Sequence, residues 1–232
     1  MTVKEMPVCE QPREKAKLYG IRSLSSAELL SVLLRTGRKG TNAIETADEL
    51  LRKAGGVGRL ASMSTEELTQ IKGIGEVKAL QITAAFELNR RIALEETRHR
   101  DLVTEPEVLV EWLKKEIGLS MQEEFLVVYL DVQHRIISYE VLFKGTLNTS
   151  CIYPREVFKQ ALLSNCTSLV LVHNHPDGEV TPSSDDLTAT AEIINLGTYF
   201  NIEVMDHLIV SGKQYLSFKQ EGILPMAQKP VK

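Results

Sequence analysis

The sequence predicts a two-domain α+β protein, an all-helical first part followed by an α/β domain built on a mixed sheet, and three observations predict it. Residues 1–100 repeat apolar side chains at helical spacing between glycine breaks. Beyond about residue 120 the pattern changes to short runs rich in Val, Ile, Leu, Phe and Tyr. The length of 232 residues suits one or two domains better than three. The boundary is drawn at the charged run RHRD (98–101), giving a helical domain over 1–100 and a second domain over 101–227.

In the first part, LSSAELLSVLLR (24–35) opens on Ser25 and Ser26, either able to cap a helix, and continues through Leu29, Leu30, Leu33 and Leu34 on one face. Gly37 and Gly40 end it. Thr41 or Asn42 can start a second helix through Ile44, Ala47, Leu50 and Leu51, and Gly55, Gly56 and Gly58 break the chain again. A third helix fits Thr65 to Ile71. The turn Lys72-Gly73-Ile74-Gly75 then leads into a long helix from Glu76 to about Glu95, rich in Ala, Leu and Glu.

In the second part a helix fits Pro106 to Ile117, since proline is pre-organised for a first helical turn. Strands are predicted at EFLVVYLD (124–131), RIISYEVLF (135–143), SLVLVH (168–173), EVMDHLIV (203–210) and QYLSF (214–218). Helices fit Pro154 to Leu163 and Ser183 to about Tyr199 between them.

Composition narrows the function classes. A hydrophobic share of 43% with 25% charged residues is that of a globular chain able to build a core. No apolar run approaches the roughly 20 residues that span a bilayer, and no leader pattern opens the chain, so a cytoplasmic protein without membrane contact is expected. Cys9, Cys151 and Cys166 are too sparse for a disulfide framework or a zinc knuckle and read as reduced thiols. Residues 1–100 carry 17 basic and 13 acidic side chains, net +4, whereas the remainder carries 10 and 18, net −8. Any phosphate contact therefore belongs to the first part.

The stretch SLVLVHNHPDGEVTPSSDD (168–186) carries the most chemistry. Alternation along a strand turns His173 and His175 the same way, at a spacing suited to two imidazoles on one metal. Pro176, Gly178 and Pro182 then turn the chain so that the next helix can return Asp186 to the same place. Two imidazoles and a carboxylate leave zinc a fourth position, the composition of a catalytic site. Ser183 and Asp186 also fit a helix capping box, and the two roles of Asp186 can coexist. Asp206-His207, on a later strand, could support the site from behind but reads more simply as structural and is left out of the ligand set.

HNHPDGEVTPSSDD, through His173, His175, Ser183 and Asp186, resembles the JAMM pattern of MPN-domain metalloproteases, and HNHP here is unrelated to the HNH nuclease signature. With GIRSLSSAELLSVLLRTG and IKGIGEVKALQITAAFELNRR resembling the helical domain that precedes it, nearly the whole chain is similar to the RadC (UPF0758) family. The resemblance implies an MPN fold over 101–227 and one zinc ion per chain on His173, His175 and Asp186. It also implies a glutamate base at the start of an early strand, aligned with Glu124 rather than Glu123, and an oxyanion role for Ser183 alternative to capping.

LTQIKGIGEVKALQI, within about 64–91, resembles a helix-hairpin-helix. Lys72, Gly73, Gly75 and Lys78 are its candidate phosphate contacts, giving weak, sequence-independent DNA affinity, although such a turn also serves purely for packing. Three functions follow: a zinc metallopeptidase or isopeptidase acting on a protein or peptide, a nucleic-acid repair or recombination factor, or a non-catalytic MPN interaction module.

Overall fold

The computed structural model describes residues 5–98, 100, 102, 106–145 and 153–227. His99, Cys151 and the polar tail at 228–232 lie outside the described residues. Contacts divide the chain into two compact units, Met1–Asn89 and Arg90–Lys232, with the division falling inside a long helix.

The first unit is helical: α1 (Pro12–Tyr19), α2 (Ser26–Leu34), α3 (Ala43–Ala54), α4 (Val57–Ser62), α5 (Thr65–Thr69) and the first part of α6 (Glu76–Arg98). Three of these starts are closed by reciprocal capping boxes, Ser25 with Glu28, Asn42 with Glu45 and Ser64 with Glu67. In each, the cap side chain accepts from one orphan amide while the acid accepts from another. Leu30, Leu34, Ala47, Leu50, Leu60, Leu68, Ala79 and Ile82 bury their side chains together as the core. Full burial of one such leucine or isoleucine contributes about 1.5–3 kcal/mol. Sequence periodicity missed α1 and α4. The glycines taken as a break do end α3, with Gly55 at φ 83° and Gly56 at φ 118°, but α4 begins directly behind them and seats Leu60 in the core.

The second unit holds α7 (Pro106–Glu116), β1 (Glu123–Leu130), β2 (Ile136–Gly145), α8 (Pro154–Leu163), β3 (Ser168–Asn174), α9 (Ser184–Phe200), β4 (Glu203–Val210) and β5 (Tyr215–Ser217). The sheet runs β2-β1-β3-β4-β5 and is mixed, with β3 and β4 parallel and the other neighbours antiparallel. A helical first part followed by an α/β domain with a mixed sheet is the predicted fold class.

Both faces of the sheet are covered, which explains why β1 and β3 read as unbroken apolar runs. Leu126, Val128, Leu130, Val170 and Val172 face α7, where Leu109, Val110, Trp112 and Leu113 pack on them. Phe125, Val127, Tyr129, Leu169 and Leu171 face the opposite way, toward Val157, Phe158 and Ala161 of α8 and Ile193 and Ile194 of α9.

Asn174, fully buried at the end of β3, fixes where β1 begins. Its Oδ1 accepts from the Glu124 amide at 2.7 Å, and its Nδ2 donates to the carbonyls of Gln122 at 3.1 Å and Ser120 at 3.4 Å. One side chain therefore satisfies three backbone groups of the segment entering β1. Replacing it with alanine orphans the buried Glu124 amide. Asn174→Ala is expected to lower unfolding free energy by about 2–3 kcal/mol, read by urea denaturation, because a buried polar group left unpaired costs about 1–3 kcal/mol; a loss below about 0.5 kcal/mol would refute the pinning role.

Candidate metal centre

His173 and His175 emerge at the end of β3, and Asp186 comes from the first turn of α9. One ligand atom from each lies within 4.8 Å of the others. The two Nε2 atoms are 2.9 Å apart, and the His173 Nε2 is 3.4 Å from Asp186 Oδ1. His173 is 1% exposed, His175 is half-buried, and the Asp186 side chain keeps 12% exposure, so the group opens to solvent on one side.

The remaining polar atoms of each residue are already engaged. His175 Nδ1 lies 2.8 Å from the carbonyl oxygen of Glu179, which can only accept, so Nδ1 carries the hydrogen and the neutral ring presents a lone pair at Nε2. Asp186 accepts at Oδ2 from the Ser183 amide and the Ser183 hydroxyl, both at 2.7 Å, which leaves Oδ1 turned to the histidines. His173 Nδ1 lies 2.9 Å from Nε2 of His207 on β4. Thr190 Oγ1 of α9 in turn meets His207 Nδ1 and donates to the Asp186 carbonyl oxygen.

Burial dominates the electrostatics. It pushes His173 down to about 4, opposed by the nearby Asp186 carboxylate and reinforced by His175. His207 is held well below its ordinary value by burial, reinforced by His173 and His175. Both rings are therefore neutral near pH 7, the state in which imidazole binds a cation. Two unprotonated nitrogens beside a carboxylate oxygen repel one another unless a cation lies among them. Zinc bonds of about 2.0–2.1 Å at a tetrahedral angle place two donor atoms roughly 3.3 Å apart, a spacing that the His173–His175 and His173–Asp186 pairs meet to within a few tenths of an ångström, while the His175–Asp186 pair is within 4.8 Å.

Glu124 does not reach this group, and the assignment of it as base is corrected by strand register. Phe125 pairs with His173 across β1 and β3 and shares its face, packing with Leu171 and the α8 and α9 side chains. Glu124, one residue earlier, turns to the other face. There its buried Oε1 accepts from Ser120 Oγ at 2.7 Å and pairs with Lys144 Nζ at 2.9 Å. Glu123, half-buried, is the acidic residue of β1 whose position falls on the His173 side. Ser183 is the N-cap of α9, and its hydroxyl donates to Asp186 Oδ2, the contacts expected of the capping alternative.

At the turn before α6, Gly73 has φ 96° and a β-carbon there would meet the Arg38 side chain at 2.9 Å. Lys78 donates to the carbonyls of Gly73 at 3.0 Å and Gly37 at 3.1 Å, and partial burial lowers its pKa. Lys72 and Gly75 are exposed. The Lys78 ammonium thus holds the turn to the loop after α2.

Thr190 and Asn174 carry no local signal of their roles in the sequence, and His207 reads there as structural. A histidine in a strand points to its neighbours only once strand order is known. β4 lies parallel beside β3 with His207 opposite Leu171, one rung from His173 on the same face.

The model of the RadC-like JAB domain matches residues 103–223, and the model of the UPF0758 N-terminal region matches residues 3–80. The chain is 40% identical over 213 residues to a UPF0758 protein of Bacillus cereus strain B4264, covering 92% of this chain and 95% of that protein. It is 37% identical over 227 residues to a UPF0758 protein of Halalkalibacterium halodurans, covering 98% of each chain. A UPF0758 protein of Caldanaerobacter subterraneus subsp. tengcongensis is 39% identical over 220 residues, or 95% of this chain and 94% of that one. With its domain model matching the second part, its N-terminal model matching the first and full-length relatives at this identity, the chain belongs to the UPF0758 family of RadC-like JAB-domain proteins.

Proposed function

We propose that the chain is a zinc-dependent hydrolase of amide bonds in a peptide or protein substrate, with His173, His175 and Asp186 as the metal-holding residues. The observation that carries this reading is the convergence of three donor atoms whose partner atoms are all engaged elsewhere, leaving two bare Nε2 atoms and Oδ1 facing one another. A zinc ion held by His173, His175 and Asp186 would supply a water of pKa lowered to about 7 and polarisation of a carbonyl group.

The chain's own residues divide the remaining work. Asp186 is committed to the ligand set, so proton transfer needs a second carboxylate. Glu123 is the candidate because of its strand position on the His173 side, and its carboxylate would take a proton from the attacking water and return it to the leaving amine. Buried Glu124 pairs with the exposed Lys144 side chain across β1 and β2. His173, buried and neutral, keeps the inner wall of the site dry, while half-buried His175 lies on the side open to substrate.

Purified protein is expected to carry about one zinc per chain, measured by elemental analysis, and to lose it in His173→Ala and in His175→Ala, each of which removes one of three protein ligands. Undiminished zinc in either variant would place the ligands elsewhere.

In a peptide-library cleavage screen with and without chelator, Glu123→Gln is expected to lower turnover by about 100- to 10,000-fold with zinc retained, the usual contribution of a positioned acid–base group. Glu124→Gln should change stability rather than turnover per folded molecule. Full turnover in Glu123→Gln would refute its role, and zinc bound without cleavage of any peptide would favour the interaction-module reading.

A further inference from the structure

We propose that Thr190 and His207 are positioning residues that set the tautomer of His173 and so decide whether its Nε2 can bind a cation. The inference rests on the metal-site reading above and extends it to two residues that touch neither substrate nor ion.

The Asp186 carbonyl oxygen, inside α9, can only accept, and Thr190 Oγ1 donates to it four residues on, as helical threonines commonly do. A hydroxyl has one hydrogen. Toward His207, therefore, Thr190 Oγ1 can only accept, and the hydrogen between them belongs to His207 Nδ1. A neutral imidazole carries a single N–H, so His207 Nε2 is bare and accepts from His173 Nδ1–H at 2.9 Å. His173 Nε2 is then bare as well, and it faces His175 Nε2 and Asp186 Oδ1.

The chain of donors begins on the helix that supplies Asp186 and ends on the strand that supplies His173. Nothing in it is solvent-exposed: Thr190 is 0% and His207 and His173 are each 1% exposed, so water cannot exchange the direction of the bonds. The His207 ring is also held in place by packing, tilted against Phe218 at 4.6 Å between centroids and edge-on to Phe125 at 6.1 Å. Reversing the chain would put a hydrogen on His173 Nε2, in the middle of the ligand set. Partners of this kind commonly change metal affinity by about 10- to 100-fold when removed.

Thr190→Val keeps the shape and removes the acceptor. His207 Nδ1–H then has no partner, the Nε2–H tautomer becomes favoured, and His173 must accept at Nδ1 and carry its hydrogen on Nε2. Thr190→Ser keeps the hydroxyl and should behave as the wild type. Two readouts on the full-length chain test this. Nitrogen-15 NMR of the chelator-treated protein is expected to show His173 and His207 both as Nδ1–H tautomers in the wild type and Thr190→Ser, and both as Nε2–H in Thr190→Val. Zinc affinity, from competition with a chromophoric chelator, should weaken by about 10- to 100-fold in Thr190→Val and by less than about threefold in Thr190→Ser. An Nε2–H form of His207 in the wild type, or unchanged tautomers in Thr190→Val, overturns the proposal, as does wild-type zinc affinity in Thr190→Val. Should the wild type bind no zinc at all, the metal-site reading fails by itself, while the wild-type tautomers still decide the direction of the chain.

Discussion

The pairing of β1 with β3 governs the second unit, because the β1 and β3 side chains at the candidate site inherit their direction from that register. With Phe125 opposite His173, the even-numbered residues of β1 and β3 pack toward α7 and the odd-numbered ones toward α8 and α9. A slip of one residue would exchange the two faces, bury the histidines under Trp112 and Leu113 and expose an apolar row to α9. Hydrophobic burial alone resists such a slip, since each strand is apolar on both faces, only weakly. The polar contacts of Asn174 add what apolar packing lacks, a specific match between the end of one strand and the start of the next.

Much of this was legible in the sequence, for identifiable reasons. Helices opened by Ser25, Asn42 and Ser183 carry their capping chemistry in adjacent letters, and the strands carry theirs in β-branched and aromatic runs. The His-x-His spacing on an apolar strand and the turn residues behind it were enough to bring His173, His175 and Asp186 into one expectation. What local pattern could not supply was phase. Glu123 and Glu124 are the same residue type side by side, and only pairing across the sheet tells which one shares the histidines' face. His207 was indistinct for the related reason that β3 and β4 are neighbours in the sheet but separated along the chain by the whole of α9. Helix α1 is polar enough that periodicity is faint, and it is held by Pro12 at its start and by the Lys15–Glu28 ion pair at 2.8 Å.

Polar residues in the buried part of the second unit serve two distinct ends. Buried Glu124, paired with Lys144 at the surface, and Asn174 tie strands together where apolar packing is indifferent to register. The His173–His207–Thr190 series is different, because its atoms are directional, and a directional series conveys information between elements that packing does not. The helical unit shows a parallel economy on a smaller scale: Arg38 reaches Glu49 at 2.6 Å and the Lys72 carbonyl at 3.3 Å, while Lys78 bonds the Gly37 carbonyl from the other side. Charged side chains there act as ties between loop and turn.

The double engagement of Asp186 limits which sequences this site could drift through. A capping box normally has glutamate or glutamine at its third helical position, and a zinc-type site accepts glutamate or histidine as readily as aspartate. Asp186 must satisfy both demands with one short side chain, Oδ2 folded back onto Ser183 and Oδ1 held toward His173. Glutamate could cap, yet its extra methylene would carry the second oxygen past the histidines; histidine could ligate, yet it offers no carboxylate to the Ser183 amide. Neither replacement preserves the start of α9 and the donor set together, so the position is confined to aspartate by geometry shared between a helix end and a site, and gradual exchange through chemically similar ligands is closed to it.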